Sequence, residues 1–164
     1  MRATLIKYHK DAQTQGQTLA LQAAVKSRNL VAARFAVDKG ADVHRLDRAE
    51  LTPLQRAAKN ANDPMVEFLL KQKDIKVDIS PIGGENQREA LSWASAHPGG
   101  ARIVKKLLSA GAKVDAVDCA GRSALSYAIS AGAVDCEAEL ETGGAHRVGG
   151  YATGALGGEL GGGG

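Results

Sequence analysis

A chain of 164 residues has the size of one domain. With 44% hydrophobic and 24% charged residues its composition is that of an ordinary globular protein, but aromatics at 4% exclude a core built on large rings. A formal net charge of +3 is too mild to demand nucleic acid as partner, no run approaches the roughly 18 to 20 apolar residues that span a bilayer, and Met1 to Lys10 lacks the apolar stretch of a secretory signal. The expectation is an intracellular chain, cytoplasmic or nuclear, with no membrane partner and reduced thiols at Cys119 and Cys136.

Read in order, Met1 to Gln15 carries Leu5, Ile6 and Tyr8, enough for a short helix that shields the exposed face of the segment after it. From residue 16 onward one pattern recurs. Leu54 lies in Leu51-Thr-Pro-Leu-Gln-Arg-Ala-Ala58, and 33 residues earlier Leu21 lies in Leu19-Ala-Leu-Gln-Ala-Ala-Val25. A step of 37 forward reaches Leu91 in Ala90-Leu-Ser-Trp-Ala-Ser95, and a further 34 reaches Leu125 in Ser123-Ala-Leu-Ser-Tyr-Ala128. A period in this range marks a repeat architecture. Four copies result, at about residues 16–46, 47–83, 84–117 and 118–145.

Each copy reads as two short helices and a polar connector, an all-α arrangement in which the connectors form β-turns or short hairpins rather than a sheet. Thr52 can cap a helix with its hydroxyl and Pro53 suits the first turn, so the first helix of copy two runs from about Pro53 to Lys59. Asp63-Pro64 repeats that start, and Val66, Leu69 and Leu70 then share one face of a second helix. Gly40 and Gly111 follow the apolar helices where a left-handed residue closes a helix. Copy four is weaker: Val134-Asp-Cys-Glu-Ala-Glu-Leu140 replaces most of the apolar stripe with acids, as a polar terminal cap does. Helices this short are marginal alone and must stack.

These residues carry a resemblance. Leu51-Thr-Pro-Leu-Gln-Arg-Ala-Ala58, Gly40-Ala-Asp-Val43, Gly111-Ala-Lys-Val-Asp-Ala-Val-Asp118 and Gly121-Arg-Ser-Ala-Leu125 resemble ankyrin repeats over about four fifths of the chain. The sequence departs from that pattern where a histidine often follows the leucine: Gln22, Gln55, Ser92 and Ser126 stand there, so the usual side-chain tie is absent or altered. Extra residues from Ile75 to Asn86 and the Pro98-Gly99-Gly100 turn predict longer loops.

The sequence contains no pattern that points to an enzyme, a metal or a cofactor. His9, His44, His97 and His146 have no second ligand at metal spacing. Cys119 and Cys136 have no neighbouring base to favour thiolate, and the glycine runs lack the lysine and hydroxyl of a phosphate loop. Trp93 has two readings, partial core packing or an exposed anchor on the inner face. Charge is polarised, with eleven Lys or Arg against five acids in residues 1–60 and ten against thirteen afterwards. Arg45, Arg48, Arg56 and Lys59 gather around one connector and could steer a partner with an acidic patch.

What the resemblance implies is a protein-binding module whose recognition residues are those of connector tips and first helices: Lys26 and Ser27; Leu46, Arg48, Ala49 and Leu51; Lys59 and Asn60; Glu85, Asn86 and Arg88; His97; Val117, Cys119, Ala120 and Arg122; and Ser130. The alternative is a regulatory or targeting segment whose catalytic partner lies elsewhere. A nucleic-acid partner is disfavoured because the basic zone lacks interleaved aromatics, and a monomer is expected. Residues 143–164 contain eleven glycines, a composition expected to give a disordered tail from residue 146 on. Truncation after Ala145 is therefore expected to leave the melting transition nearly unchanged, and a fall of several degrees would show that Tyr151 or Leu156 caps the last repeat.

Overall fold

The computed structural model describes residues 2–78 and 88–145. Among them are eight helices and no strand: α1 (Arg2–Lys26), α2 (Leu30–Asp38), α3 (Pro53–Lys59), α4 (Asp63–Leu70), α5 (Ala90–Ser95), α6 (Ala101–Ser109), α7 (Ala124–Ala131) and α8 (Val134–Thr142). They form four pairs. The first helices α1, α3, α5 and α7 pack in series, and α4, α6 and α8 pack in a second row behind them. The expected tail from residue 146 lies outside the described residues, as do most of the insertion and two of its tip residues, Glu85 and Asn86.

Local chemistry sets the helix ends. The Thr52 hydroxyl accepts from the Gln55 amide at 3.2 Å while the Gln55 side-chain oxygen accepts from the Thr52 amide at 2.8 Å, a reciprocal cap on α3 with Pro53 in its first turn. α4 starts differently from the expectation. Its cap is Asn62, whose side chain accepts from the Met65 amide at 3.4 Å. Asp63 is already inside the first turn, because Ala61 takes a left-handed conformation (φ 48°) and delivers Asn62 to the cap.

The turn of copy three has its own constraint. A Cβ on Gly100 would sit 2.0 Å from the Ala94 carbonyl oxygen, whereas one on Gly99 would meet nothing within 4 Å. Only the second glycine of Pro98-Gly99-Gly100 is required by packing.

The core is aliphatic. Leu21, Val25, Leu54, Met65, Val66, Leu69, Leu91, Ile103, Val104, Leu107, Leu125 and Leu140 are all buried, with alanines between the helices. Leu70 is only half-buried at the margin. The missing histidine tie is altered rather than absent in the first two copies. The Gln22 amide donates to the Leu46 carbonyl at 3.0 Å, and the Gln55 amide donates to the Arg88 carbonyl at 3.0 Å, each linking a first helix to connector backbone. Between the second helices, Lys106 of α6 donates to Asp63 at 2.6 Å and Glu67 at 2.9 Å on α4. Lys71 and Lys106 together pull the Glu67 carboxyl down to about 2.

The beginning of the chain departs from the expectation. The boundary at residue 15 falls inside α1, which runs unbroken past Gly16, a residue that costs about 1 kcal/mol there relative to alanine but does not stop a helix. Residues 9–13 of that helix are exposed, and burial begins at Thr18 and Leu21. Leu19, Val31 and Phe35 stay exposed at 66%, 79% and 60%. The side chains of Leu5, Ile6 and Tyr8 lie outside the described ones.

The contrast between the two glycines can be measured. Gly100→Ala is expected to cost about 1 to 3 kcal/mol in chemical denaturation, as overpacking against rigid backbone does, while Gly99→Ala stays within about 0.5 kcal/mol. Equal effects would show that the turn adjusts freely.

Candidate functional site

The connector tips of copies two and four are the same structure built from different residues. In copy two the Asp47 carboxylate accepts from the Ala49 amide at 2.8 Å and the Leu51 amide at 3.1 Å, and the Asp47 amide donates to the Leu51 carbonyl at 2.9 Å. In copy four the Asp118 carboxylate accepts from the Ala120 and Arg122 amides at 2.9 Å each, and its amide donates to the Arg122 carbonyl at 3.0 Å. Both turns need a left-handed residue, supplied by Glu50 (φ 57°) and Gly121 (φ 73°). An isolated bridge between Val117 and Ser123 completes the second tip, a short hairpin as expected. An aspartate inside each turn holds the backbone and leaves the tip side chains facing solvent.

The remaining oxygen of each aspartate reaches the following first helix. Asp47 accepts from the Arg56 guanidinium at 2.8 and 2.6 Å, and Asp118 accepts from Arg122 at 2.9 Å and from the Tyr127 hydroxyl at 2.5 Å. Burial pushes the Asp118 carboxyl up, but hydrogen bonds from Tyr127, the Arg122 and Ala120 amides and the Arg122 guanidinium outweigh it and hold the group below the usual carboxylate range. Burial, reinforced by the bond to Asp118, pushes the Tyr127 hydroxyl up to about 12.

Arg56, Trp93 and Tyr127 occupy the same position of α3, α5 and α7, and stacking makes neighbours of the last two. The Arg88 guanidinium lies 3.9 Å from the Trp93 ring centre and 3.6 Å from that of Tyr127. Lys59 sits 4.4 Å from the Trp93 ring centre, and Arg122 4.9 Å from that of Tyr127. The result is an alternating row: Lys59, Trp93, Arg88, Tyr127, Arg122. Each cation–ring contact is worth about 0.5 to 2 kcal/mol according to its desolvation. Burial pulls the Arg88 guanidinium below its usual range, yet a guanidinium stays charged at neutral pH. Arg88 also donates to the Ser92 carbonyl at 2.8 Å, but its Nε and the Trp93 Nε1 are buried without an acceptor, an unsatisfied state that costs about 1 to 3 kcal/mol per group.

The residues singled out from sequence fall into distinct places. Lys26, Ser27, Leu46, Arg48, Ala49, Val117, Cys119, Ala120, Arg122 and Ser130 are exposed. Leu51 is a correction: at 6% exposure its side chain belongs to the core margin and has no surface to offer, because the turn closed by Asp47 directs it inward. Lys59, Asn60, Arg88 and His97 are half-buried and linked to neighbours. The Lys59 carbonyl is 2.6 Å from the His97 ring, and the Asn60 carbonyl accepts from Arg28 of copy one. Arg56 is likewise removed from the expected basic cluster, since its ion pair with Asp47 at 2.6 Å offsets its charge. Trp93 combines its two readings, half-buried against the core with its ring between cations. Sequence reasoning missed Asp47, Asp118 and Tyr127. The signal was present in the common spacing of Asp47 to Arg56 and Asp118 to Tyr127.

Among the described residues no group of three or more His, Cys, Asp or Glu is placed to hold a metal ion. Cys119 is exposed at its tip, whereas Cys136 is buried with its thiol against the His97 carbonyl at 3.4 Å, and burial pushes that thiol up. No helix among the described residues is long and apolar enough to cross a membrane.

Comparison with known proteins agrees with this architecture. A family model described as ankyrin repeats, in three copies, matches residues 3–81. A protein of Fowlpox virus (strain NVSL) described as a putative ankyrin repeat protein is 32% identical over 133 residues, covering 78% of this chain and 88% of the relative.

The Asp118 network predicts a pH dependence of definite sign. Its folded-state pKa lies below the unfolded one, so the stabilisation is complete above the ordinary aspartate value of about 4 and is lost as pH falls through the folded value. Asp118→Asn is expected to cost about 1.5 to 3 kcal/mol at pH 7, as loss of hydrogen bonds to a charged acceptor does, with the difference from wild type shrinking on acidification. A difference that stays constant from pH 7 to about pH 2 would show that the charge contributes nothing.

Proposed function

This chain belongs to the ankyrin-repeat family, whose repeats generally mediate protein–protein interaction, and we propose that it is a monomeric binding module rather than an enzyme, presenting its connector tips and first helices to a protein partner inside the cell. The observation that carries this reading is the construction of the two tips. Arg48 and Ala49 in one, and Cys119 and Ala120 in the other, are exposed on turns whose backbone is fixed from inside by Asp47 and Asp118. Fixed turns reduce the ordering cost of association, and side chains exposed outside the packed stripes can specify a partner without disturbing the fold.

The charge distribution supports a partner with an acidic patch. Arg45 and Arg48 remain exposed at the copy-two tip after Arg56 is paired. Such charges raise the association rate and weaken with salt. No feature of the described residues favours the regulatory-segment alternative.

A charge-matched pair of variants tests the proposal. Arg48→Glu at the tip and Lys105→Glu on the outer helix α6 alter exposed residues equally, so each should change stability by no more than about 0.5 kcal/mol. In affinity capture from cell extract, Arg48→Glu is expected to lose the companions that wild type retains, with the loss lessened at high salt, while Lys105→Glu keeps them. The reverse pattern would place the binding surface on the outer helices.

A further inference from the structure

The row formed by Lys59, Trp93, Arg88, Tyr127 and Arg122 spans copies two to four and carries three cations. Among the described residues only one of them pairs with a carboxylate. Arg122 pairs with Asp118 at 2.9 Å, and among the described residues neither Lys59 nor Arg88 forms an ion pair. Asp118 has no capacity left for them, since it already receives two backbone amides, Arg122 and the Tyr127 hydroxyl. Stacking on rings orients a guanidinium but does not neutralise it. The row is therefore a line of cations held against rings, in which Lys59 and Arg88 have no carboxylate partner among the described residues.

We propose that this row is a docking stripe for an acidic, extended segment of a partner protein, whose successive carboxylates pair with Lys59, Arg88 and the outer edge of Arg122. The proposal rests on the protein-binding reading above and names the chemistry of the partner. Spacing supports it. The ring-centre distances of 4.4 and 3.9 Å about Trp93, and 3.6 and 4.9 Å about Tyr127, place successive cations within about 8.5 Å of each other. Alternate side chains on one face of an extended chain are about 7 Å apart, which lies within that limit, so acids at every second position can reach successive cations. Ring coverage favours carboxylates over nucleic acid. Lys59 and Arg88 both lie over the half-buried Trp93 ring, 4.4 and 3.9 Å from its centre, and occupy space that a stacking base would need.

Trp93 is the chain's one tryptophan, so its emission reports on the row directly. The full chain is titrated with a synthetic peptide of alternating glutamate and serine, with an alternating lysine and serine peptide and oligothymidylate as comparisons. The glutamate peptide is expected to change Trp93 emission saturably and with strong salt dependence, and the lysine peptide to leave it unchanged. By anisotropy of the labelled glutamate peptide, Arg88→Gln and Lys59→Gln should each bind about tenfold more weakly, while Lys105→Gln, the same charge change on the outer face, binds as wild type does. Thermal melting confirms that the variants fold; if Arg88→Gln does not, Lys59→Gln and Arg122→Gln carry the test. Absence of a saturable change, wild-type affinity in the folded row variants, or tighter binding of oligothymidylate would each overturn the proposal. If the peptide fails while Arg48→Glu still abolishes capture of cellular companions, the row is rejected and the binding module stands; if that capture is also unaffected, both readings fall.

Discussion

The constraint on which the structure depends is that its helices are too short to be stable alone. Beyond α1, none exceeds nine residues, and α5 has six. Isolated helices of that length are marginal in water, because nucleation costs more than a few hydrogen bonds return. Each helix persists by burying its apolar stripe against the next pair: Leu54 and Leu69 in copy two, Leu91 and Leu107 in copy three, Leu125 and Leu140 in copy four. Mutual burial sets the register of the stack, and the register decides which side chains of adjacent copies meet. The small core residues matter as much as the leucines. Ala57, Ala58, Ala94 and Ala128 are fully buried, and their size lets first helices approach without large rings between them.

Bonds that cross from copy to copy reinforce that register. Gln22 and Gln55 donate forward to connector carbonyls, His97 meets the end of α3, and Lys106 spans α4 and α6. The exposed ion pairs contribute little to stability individually. The buried amide of Gln55 contributes more, because it closes the cap of its own helix and ties the next copy with the same side chain. A glutamine thereby does from one position what a histidine does in the usual pattern, having both a donor and an acceptor at the end of a longer side chain.

Repetition also explains how a varied surface arises on so plain a core. One position of the first helix is Arg56, Trp93 or Tyr127 according to the copy, and its neighbour in the connector is Leu51, Arg88 or Arg122. In copy two, Leu51 turns into the core and Arg56 satisfies Asp47. In the next two copies rings replace Arg56 and arginines replace Leu51, so each arginine stacks on the ring of its own copy and Arg88 also stacks on Tyr127 across the copy boundary. The surface changes character along the stack while the backbone of the tips stays the same, because Asp47 and Asp118 hold both turns by the same bonds.

Much of this was legible in the residues themselves. The period, the cap at Thr52, the span of α3, the Val66 and Leu69 face of α4 and the left-handed Gly40 and Gly111 are local matters, decided by hydrogen-bond donors, side-chain volume and φ within a few residues, and the structure agrees with each. What sequence could not decide was anything set by the distance between residues far apart in the chain. Whether α1 stopped near residue 15, whether Leu51 faced solvent, and where the charge of Arg56 was spent depend on what each meets in space. The row from Lys59 to Arg122 is the clearest case, with five residues drawn from 64 positions of chain. Composition displays its rings and cations, but only the packing of α3, α5 and α7 brings them within 5 Å, since stacking attraction exists between atoms in contact and not between positions along a chain.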